Sequence, residues 1–356
     1  MHLLIKVSFK RAILKLNLFA LALLFIGTHL MAQTDEQPKS VLKNKHKEFS
    51  SWKYGMFLHF NLATYTGREW TNGHEDPLLF NPAKLDCNQW MSAIKAAGMN
   101  YAVLTVKHTE AYPLWDSKYT DHDITAFKNY KDGKGDIVRE YINACRENKI
   151  KVGLYYCLPG DFGVDKVWSN PLQNGQKDYH GLPFEAEGDF AGFIEKQVTE
   201  LLTNYGSIDL IWFDQYSNKY TGKDWLRLKT LVHKLQPMCI VVANNSKSYK
   251  ESDIIGYEYR YLMQVSPDKA LPQIGNKDVA ELCDNLDDNG WFWHAGEKKM
   301  KSAKTVAEML KLCQSRKTNL LLDVPPSPDG LIEQVYIDRL VEIRKLTFGK
   351  SQISSS

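Results

Sequence analysis

From Trp52 onward, short apolar runs rich in β-branched and aromatic residues alternate with longer stretches whose apolar positions recur at helical spacing. The short runs predict strands at 54–60, 101–107, 151–158, 208–214, 239–244, 254–260 and 318–324, with a weaker one between 279 and 294. The stretches between them predict helices. One is capped by Asp86 or Asn88 and stopped after Ala97 by Gly98; another is opened by Asp136 and runs to about Asn148. A long helix over 184–204 ends before Gly206, Lys223 to Leu235 is closed by Pro237, and Ser302–Arg316 and Glu333–Leu346 complete the set. Strand and helix in alternation imply a parallel sheet with helices packed on it. Roughly eight such units in about 300 residues is the size of a (β/α)8 TIM-like barrel. The rival, a doubly wound open sheet, would carry a phosphate-binding glycine turn after its first strand, where this chain has His59-Phe60-Asn61. No internal repeat appears, and no run of evenly spaced strands follows Gly349, so a C-terminal β-sandwich is not expected. The α/β barrel is assigned to residues 51–350 as a single domain.

Ahead of the barrel the pattern changes. Lys6, Lys10, Arg11 and Lys15 precede the ten-residue apolar run Leu18 to Gly27, followed by Met31-Ala32-Gln33 and a polar stretch from Thr34. This reads as an export signal over 1–33, too short to span a bilayer. A membrane anchor or a buried helix is the alternative, because Leu30 suits the small-residue cleavage pattern poorly. Residues 34–50, polar and Lys-rich, read as a solvated lead-in. The expected location is therefore periplasmic or secreted, with no membrane partner once the signal is removed. Charge then changes one conclusion. Lys plus Arg number 45 against 42 for Asp plus Glu, a balance of +3 that becomes −1 without the four leader cations, so no nucleic-acid footprint is expected. A hydrophobic fraction of 44% excludes a disordered tail protein. The six cysteines, Cys87, Cys145, Cys157, Cys239, Cys283 and Cys313, are scattered singly with no C-x-x-C pair and no zinc-like His spacing. They read as buried small hydrophobes, with one disulfide left open.

In such a barrel the carboxyl ends of the strands build the active site, so polar residues that end apolar runs are the first candidates. They are His59, Lys107-His108, Tyr155-Tyr156, Asp214, Asn244-Asn245 and Glu258. Asp214 stands out because the almost wholly apolar run Ile208 to Phe213 delivers a carboxylate at its end. A helix cap or a buried ion pair would account for it equally well. Around these ends lie Trp52, Trp70, Trp115, Tyr155, Tyr156, Trp212, Trp291 and Trp293. Aromatic walls mixed with His, Asn and carboxylate groups suit a sugar, whose ring has apolar C–H faces and a hydroxyl rim, although aromatic side chains more often serve the core. Glycoside hydrolysis needs two carboxyl groups, one to attack or activate water and one to protonate the leaving oxygen. Asp214 supplies the first; Glu258, ending its strand, and Glu281, opening a polar-aromatic segment, compete for the second, and either could equally be a solvated loop carboxylate.

The segments Tyr54-Gly55-Met56-Phe57-Leu58-His59-Phe60, Val106 to Thr120 (VKHTEAYPLWDSKYT), Val152-Gly153-Leu154-Tyr155-Tyr156 and Leu210-Ile211-Trp212-Phe213-Asp214 together resemble the α-L-fucosidases of glycoside hydrolase family 29. The match continues at Ser302-Ala303, Asn319-Leu320-Leu321-Leu322 and Pro328-Asp329-Gly330, and spans about residues 51 to 348. The resemblance implies a retaining exo-glycosidase acting on glycans or oligosaccharides, with Asp214 as nucleophile and no metal or organic cofactor. It implies that His59 and His108 hold sugar hydroxyls, that Tyr156 and Trp212 are pocket walls with Trp293 beside them, and that Glu281, in the late Glu-x-Cys segment, is the acid/base, with Glu258 as the alternative. Two positions depart from the family pattern. Thr109 stands where a second sugar-binding histidine is usual, and Asn244-Asn245-Ser246 replaces Asn-Asp-Arg. A different sugar preference is therefore kept open beside fucoside hydrolysis. So are a catalytically silent glycan-binding barrel and a metal-dependent barrel hydrolase using His59, His108 and Asp214. Oligomeric state is left open.

Overall fold

The computed structural model describes residues 37–71, 73, 75–158, 190–214, 222–258 and 273–349. The expected signal over 1–33 lies outside them. The chain divides into Met1–Pro38 and Lys39–Ser356, and the barrel with its helices lies within the second unit.

Eight parallel strands make one sheet: β1 Tyr54–Leu58, β2 Tyr101–Lys107, β3 Lys151–Cys157, β4 Leu210–Asp214, β5 Ile240–Ala243, β6 Ile255–Glu258, β7 Ala280–Asn285 and β8 Thr318–Asp323. The order around the sheet is β5-β4-β3-β2-β1-β8-β7-β6. At the remaining seam no regular ladder joins β5 to β6. Asp253 N donates to Val241 O (2.7 Å), Gly256 N to Ser246 O (3.1 Å) and Glu258 N to Asn245 Oδ1 (3.1 Å). Gly256 permits this approach, since a Cβ there would stand 3.1 Å from Asn245 N. The barrel and its strands are those expected: seven agree within about two residues where their ends are described, and the weak one falls inside its 279–294 window.

Among the described residues the α-helices are α1 Lys39–Trp52, α2 Cys87–Ala97, α3 Ile137–Glu147, α4 Phe190–Asn204, α5 Gly222–Leu235, α6 Ala303–Ser315 and α7 Gln334–Phe348. Their ends follow the local signals. The Asp86 carboxylate accepts Asn88 N (2.8 Å) and Gly98 takes φ 75°, while Asp136 accepts Arg139 N (2.8 Å) and Ser302 accepts Thr305 N (3.1 Å). The part of the expected long helix over 184–189 lies outside the described residues. Among those that are described, the strand-helix repetition fails at one place: only residues 244–254, in turns, separate β5 from β6.

The reading of 34–50 as a solvated lead-in is corrected by α1. Lys45, Phe49 and Trp52 are spaced four and three apart, fall on one helical face, and are buried. Phe49 and Trp52 close the amino-terminal mouth of the barrel by packing on Tyr101, with ring centroids 6.0 and 5.4 Å away. Asn319 Nδ2 and Asn100 Nδ2 donate to the helix carbonyls Phe49 O (2.7 Å) and Trp52 O (2.9 Å). Lys45 is buried against Asp253 (2.7 Å), which pairs the charge and lets a lysine occupy the inner face.

Two apolar layers result. Residues of one parity on each strand, among them Phe57, Tyr101, Tyr155, Trp212, Val242, Cys283 and Leu321, fill the barrel interior, and those of the other parity meet the helices. All six cysteines are buried thiols, none in a disulfide. Among the described residues no helix is long and apolar enough to cross a membrane.

Candidate active site

The strands end in polar groups because the interior column of side chains ends there. At the carboxyl face a pocket is lined by Phe57, His59, Trp70, His108, Tyr155, Trp212, Asp214, Glu258, Cys283 and Trp291.

Asp214 ends β4 and Glu258 ends β6, with β5 between them in the wall. Asn244, the residue after β5, joins the two carboxylates: its Nδ2 donates to Asp214 Oδ1 (2.9 Å) and to Glu258 Oε2 (2.6 Å). Those two oxygens can be no farther apart than the two bonds laid end to end, so the carboxyl groups face one another across a single amide. Tyr155 Oη donates to the other oxygen, Asp214 Oδ2 (2.9 Å), so donors on both sides fix the carboxylate plane. Burial, with the Asp214 charge beside it, pushes the Tyr155 phenol well above its ordinary value, so Tyr155 is a hydrogen donor here. Asn245 adds a second amide, 3.4 Å from Glu258 Oε2, and adopts φ 58° to do so.

His59 follows β1 and gives its Nδ1 to Asp323 Oδ1 at the end of β8 (2.7 Å); both are buried. The ring orientation is thereby set, and the residue lines the pocket. His108 follows β2, stacks on Tyr155 (5.6 Å, 23°) and has Thr109 Oγ1 at 3.3 Å and Glu110 Oε2 at 3.6 Å from Nδ1. Thr109 also donates to Thr71 O (3.1 Å), so it fastens the loop after β1. Trp291 stands beside His59 (5.3 Å) and Phe57 (6.3 Å). Glu69 accepts Trp291 N (3.0 Å) and pairs with His294 Nε2 (2.9 Å), tying the loop that carries Trp70 to the loop that carries Trp291.

Of the residues expected from sequence, the fold brings together Asp214, Glu258, His59, His108 and Trp212. Three fall elsewhere. Tyr156 belongs to the outward parity of β3: its hydroxyl donates to Gln197 Oε1 (2.7 Å) on α4, Lys107 Nζ lies 4.2 Å over its ring, and Tyr155 takes the place at the pocket. Trp293 packs against the outer core with Lys298 over its ring (4.5 Å), and Trp291 lines the pocket instead. Glu281 points inward but sits in β7 two residues before Cys283, the register partner of Glu258, hence about 6.6 Å lower along the strand. It is buried beneath Trp212 and does not line the pocket. Burial raises its carboxyl to about 7 against hydrogen bonds from Tyr101 and Trp212 that act the other way.

Sequence reading passed over Asp323, although it too ends an apolar run, Leu320-Leu321-Leu322. Phe57 and Cys283 gave no chemical signal of their own. Among the described residues no group of three His, Cys, Asp or Glu side chains is disposed to hold a metal ion.

Comparison with known proteins gives a consistent picture. A family model described as alpha-L-fucosidase matches residues 74–347. Alpha-L-fucosidase 1 of Arabidopsis thaliana is 29% identical over 335 residues, 87% of this chain and 61% of its own. Human plasma alpha-L-fucosidase is 27% identical over 276 residues, 74% of this chain and 53% of its own. Among solved structures, alpha-L-fucosidase isoenzyme 1 from Paenibacillus thiaminolyticus superposes with a TM-score of 0.71 at 28% identity, over 87% of this chain and 76% of that one. The chain thus spans between half and two thirds of the length of these curated relatives.

Proposed function

The chain belongs to the alpha-L-fucosidase family, and from that premise we propose that it is an exported retaining exo-glycosidase that removes α-L-fucose from glycans, with Asp214 as nucleophile and Glu258 as acid/base. The observation that carries this reading is the Asn244 bridge, which holds two carboxylates from different strands side by side in a pocket walled by aromatic rings and two histidines.

In the first displacement an Asp214 oxygen attacks the anomeric carbon while Glu258 gives its proton to the glycosidic oxygen. The C–O bond to the leaving group breaks and a β-linked glycosyl ester remains. Glu258, now a carboxylate, takes a proton from water, whose oxygen displaces Asp214 and returns the α-configured sugar. Asn244 and Tyr155 keep the Asp214 carboxylate aimed through both steps. His59, fixed by Asp323, and His108, stacked on Tyr155, present ring nitrogens to sugar hydroxyls; Phe57, Trp212 and Trp291 face the apolar C–H surface. Export rests on the leader composition alone and is tested by the amino terminus of the protein recovered from the extracytoplasmic fraction.

The deciding experiment uses aryl glycosides of several sugars. Turnover of the α-L-fucoside is expected, and a silent binder would turn over none. Asp214→Ala should lose activity by about 10⁴-fold or more while remaining folded. Glu258→Ala should fail on poor leaving groups, keep most of its rate on activated phenols, and be rescued by azide to give the α-glycosyl azide. A β-azide from that variant would overturn the assigned roles.

A further inference from the structure

Below the pocket floor the barrel holds one carboxyl group that the proposed chemistry does not use. Glu281 accepts Tyr101 Oη at Oε2 (2.8 Å) and Trp212 Nε1 at Oε1 (2.9 Å), and is 2% exposed. Tyr101 lies flat over Gly55, where a Cβ would stand 2.4 Å from its ring, and rests on Trp52 of α1. Trp212 in turn stacks on Tyr155 (5.4 Å, 21°) and meets Phe57 edge-on (5.4 Å, 64°). Tyr155 is the donor to Asp214 Oδ2. An unbroken column of contacts therefore runs from the helix that closes the barrel to the attacking carboxylate. An indole N–H and a phenol O–H buried in an apolar interior each need an acceptor, and one carboxyl group serves both, one oxygen apiece.

We propose that Glu281 is a positioning residue for the reaction, which fixes the Trp212 indole from beneath so that Tyr155 holds Asp214 in its attacking orientation. This rests on the reading of Asp214 as nucleophile. Glutamine keeps the shape of Glu281 but offers one acceptor oxygen, so it cannot accept from both the Trp212 indole and the Tyr101 hydroxyl. Glu281→Gln should lower kcat/KM by about 10-fold, equally for good and poor leaving phenols and without azide rescue. Trp212→Phe, which keeps a ring but removes the N–H, should give a loss of the same order and stands in if the first variant does not fold. The discriminating measurement is a double-mutant cycle with Tyr155→Phe. If Glu281 acts through Tyr155, the double variant should be about as slow as the slower single one. Multiplying losses would mean a general structural role and would overturn the inference. So would azide rescue with preserved rates on activated phenols, which would make Glu281 the acid/base itself, and so would unchanged activity in both Glu281→Gln and Trp212→Phe. Asp214→Ala in the same assay separates the two levels: if it retains turnover, the catalytic reading fails whatever Glu281 does.

Discussion

Tyr155 and Tyr156 are chemically the same residue with opposite work, because successive side chains of a strand leave by opposite faces. The hydroxyl of Tyr155 ends on Asp214, and that of Tyr156 ends on Gln197, which also donates to Ser117 Oγ (3.3 Å). Ser117 and Trp115 in turn donate to Glu200 (2.9 and 3.0 Å), so the family-like Trp115 to Tyr119 segment is a clamp between loop and α4. Removing either hydroxyl should therefore separate function from stability. Tyr155→Phe is expected to lower turnover by about 10-fold with little change in folding, and Tyr156→Phe to lower stability by about 1–2 kcal/mol with activity per folded molecule intact. Paired urea curves and rates check this, and the reverse pattern would reassign both residues. Ala111 makes a second case. It is buried at φ 70°, a conformation that costs a residue with a Cβ about 1–2 kcal/mol. Ala111→Gly should relieve it and, after the added freedom of the unfolded glycine, stabilise the chain by about 0.5–1 kcal/mol, seen as a higher urea midpoint at unchanged slope.

At the scale of elements, what the sequence made legible was whatever is written locally. Apolar runs ending in His59, Asp214 and Glu258 marked strands and the polar groups that follow them to the pocket, and Asp86, Gly98 and Asp136 marked helix limits, because caps act within three or four residues. What stayed hidden depends on partners far along the chain. Both faces of a barrel strand are buried, so alternation cannot say which of Tyr155 and Tyr156 points inward. The height of Glu281 below Glu258 is set by the register of β6 on β7. Helix α1 was illegible for the same reason: its buried face includes a lysine whose counter-charge, Asp253, lies 208 residues away. Its role makes a prediction. Phe49 is fully buried at the closed mouth of the barrel, so Phe49→Ala should cost about 3–5 kcal/mol. A cost below about 1 kcal/mol would mean that the barrel stands without its plug, returning the segment to a lead-in.

The whole molecule buries several titratable groups, and that ties its stability to pH. At the closed end, burial alone would raise the Asp253 carboxyl, but the hydrogen bond from His233 and the charges of His233, Lys45 and Lys229 outweigh it and hold the group below the usual carboxylate range. Its stabilisation is present above about pH 4 and is lost as pH falls through the lowered value. Glu281 behaves in the opposite sense. Burial raises it from 4.5 to about 7, so between those values the unfolded chain releases a proton that the folded one retains, and stability falls as pH rises. Asp284, raised by burial to about 6 against the pull of Lys301, acts in the same direction, whereas His233, lowered by burial, opposes both. A single stability curve would mix these effects, but the difference between the wild-type chain and Glu281→Gln isolates one of them. That difference should shift by about 3 kcal/mol between pH 4.5 and pH 7.5, with the wild type gaining on the variant as the solution is acidified. Urea midpoints at the two pH values measure it. A difference independent of pH would show that Glu281 stays ionised in the folded barrel, and the two donors from Tyr101 and Trp212 would then be holding a charge, a stronger restraint on Trp212 than the neutral acid provides.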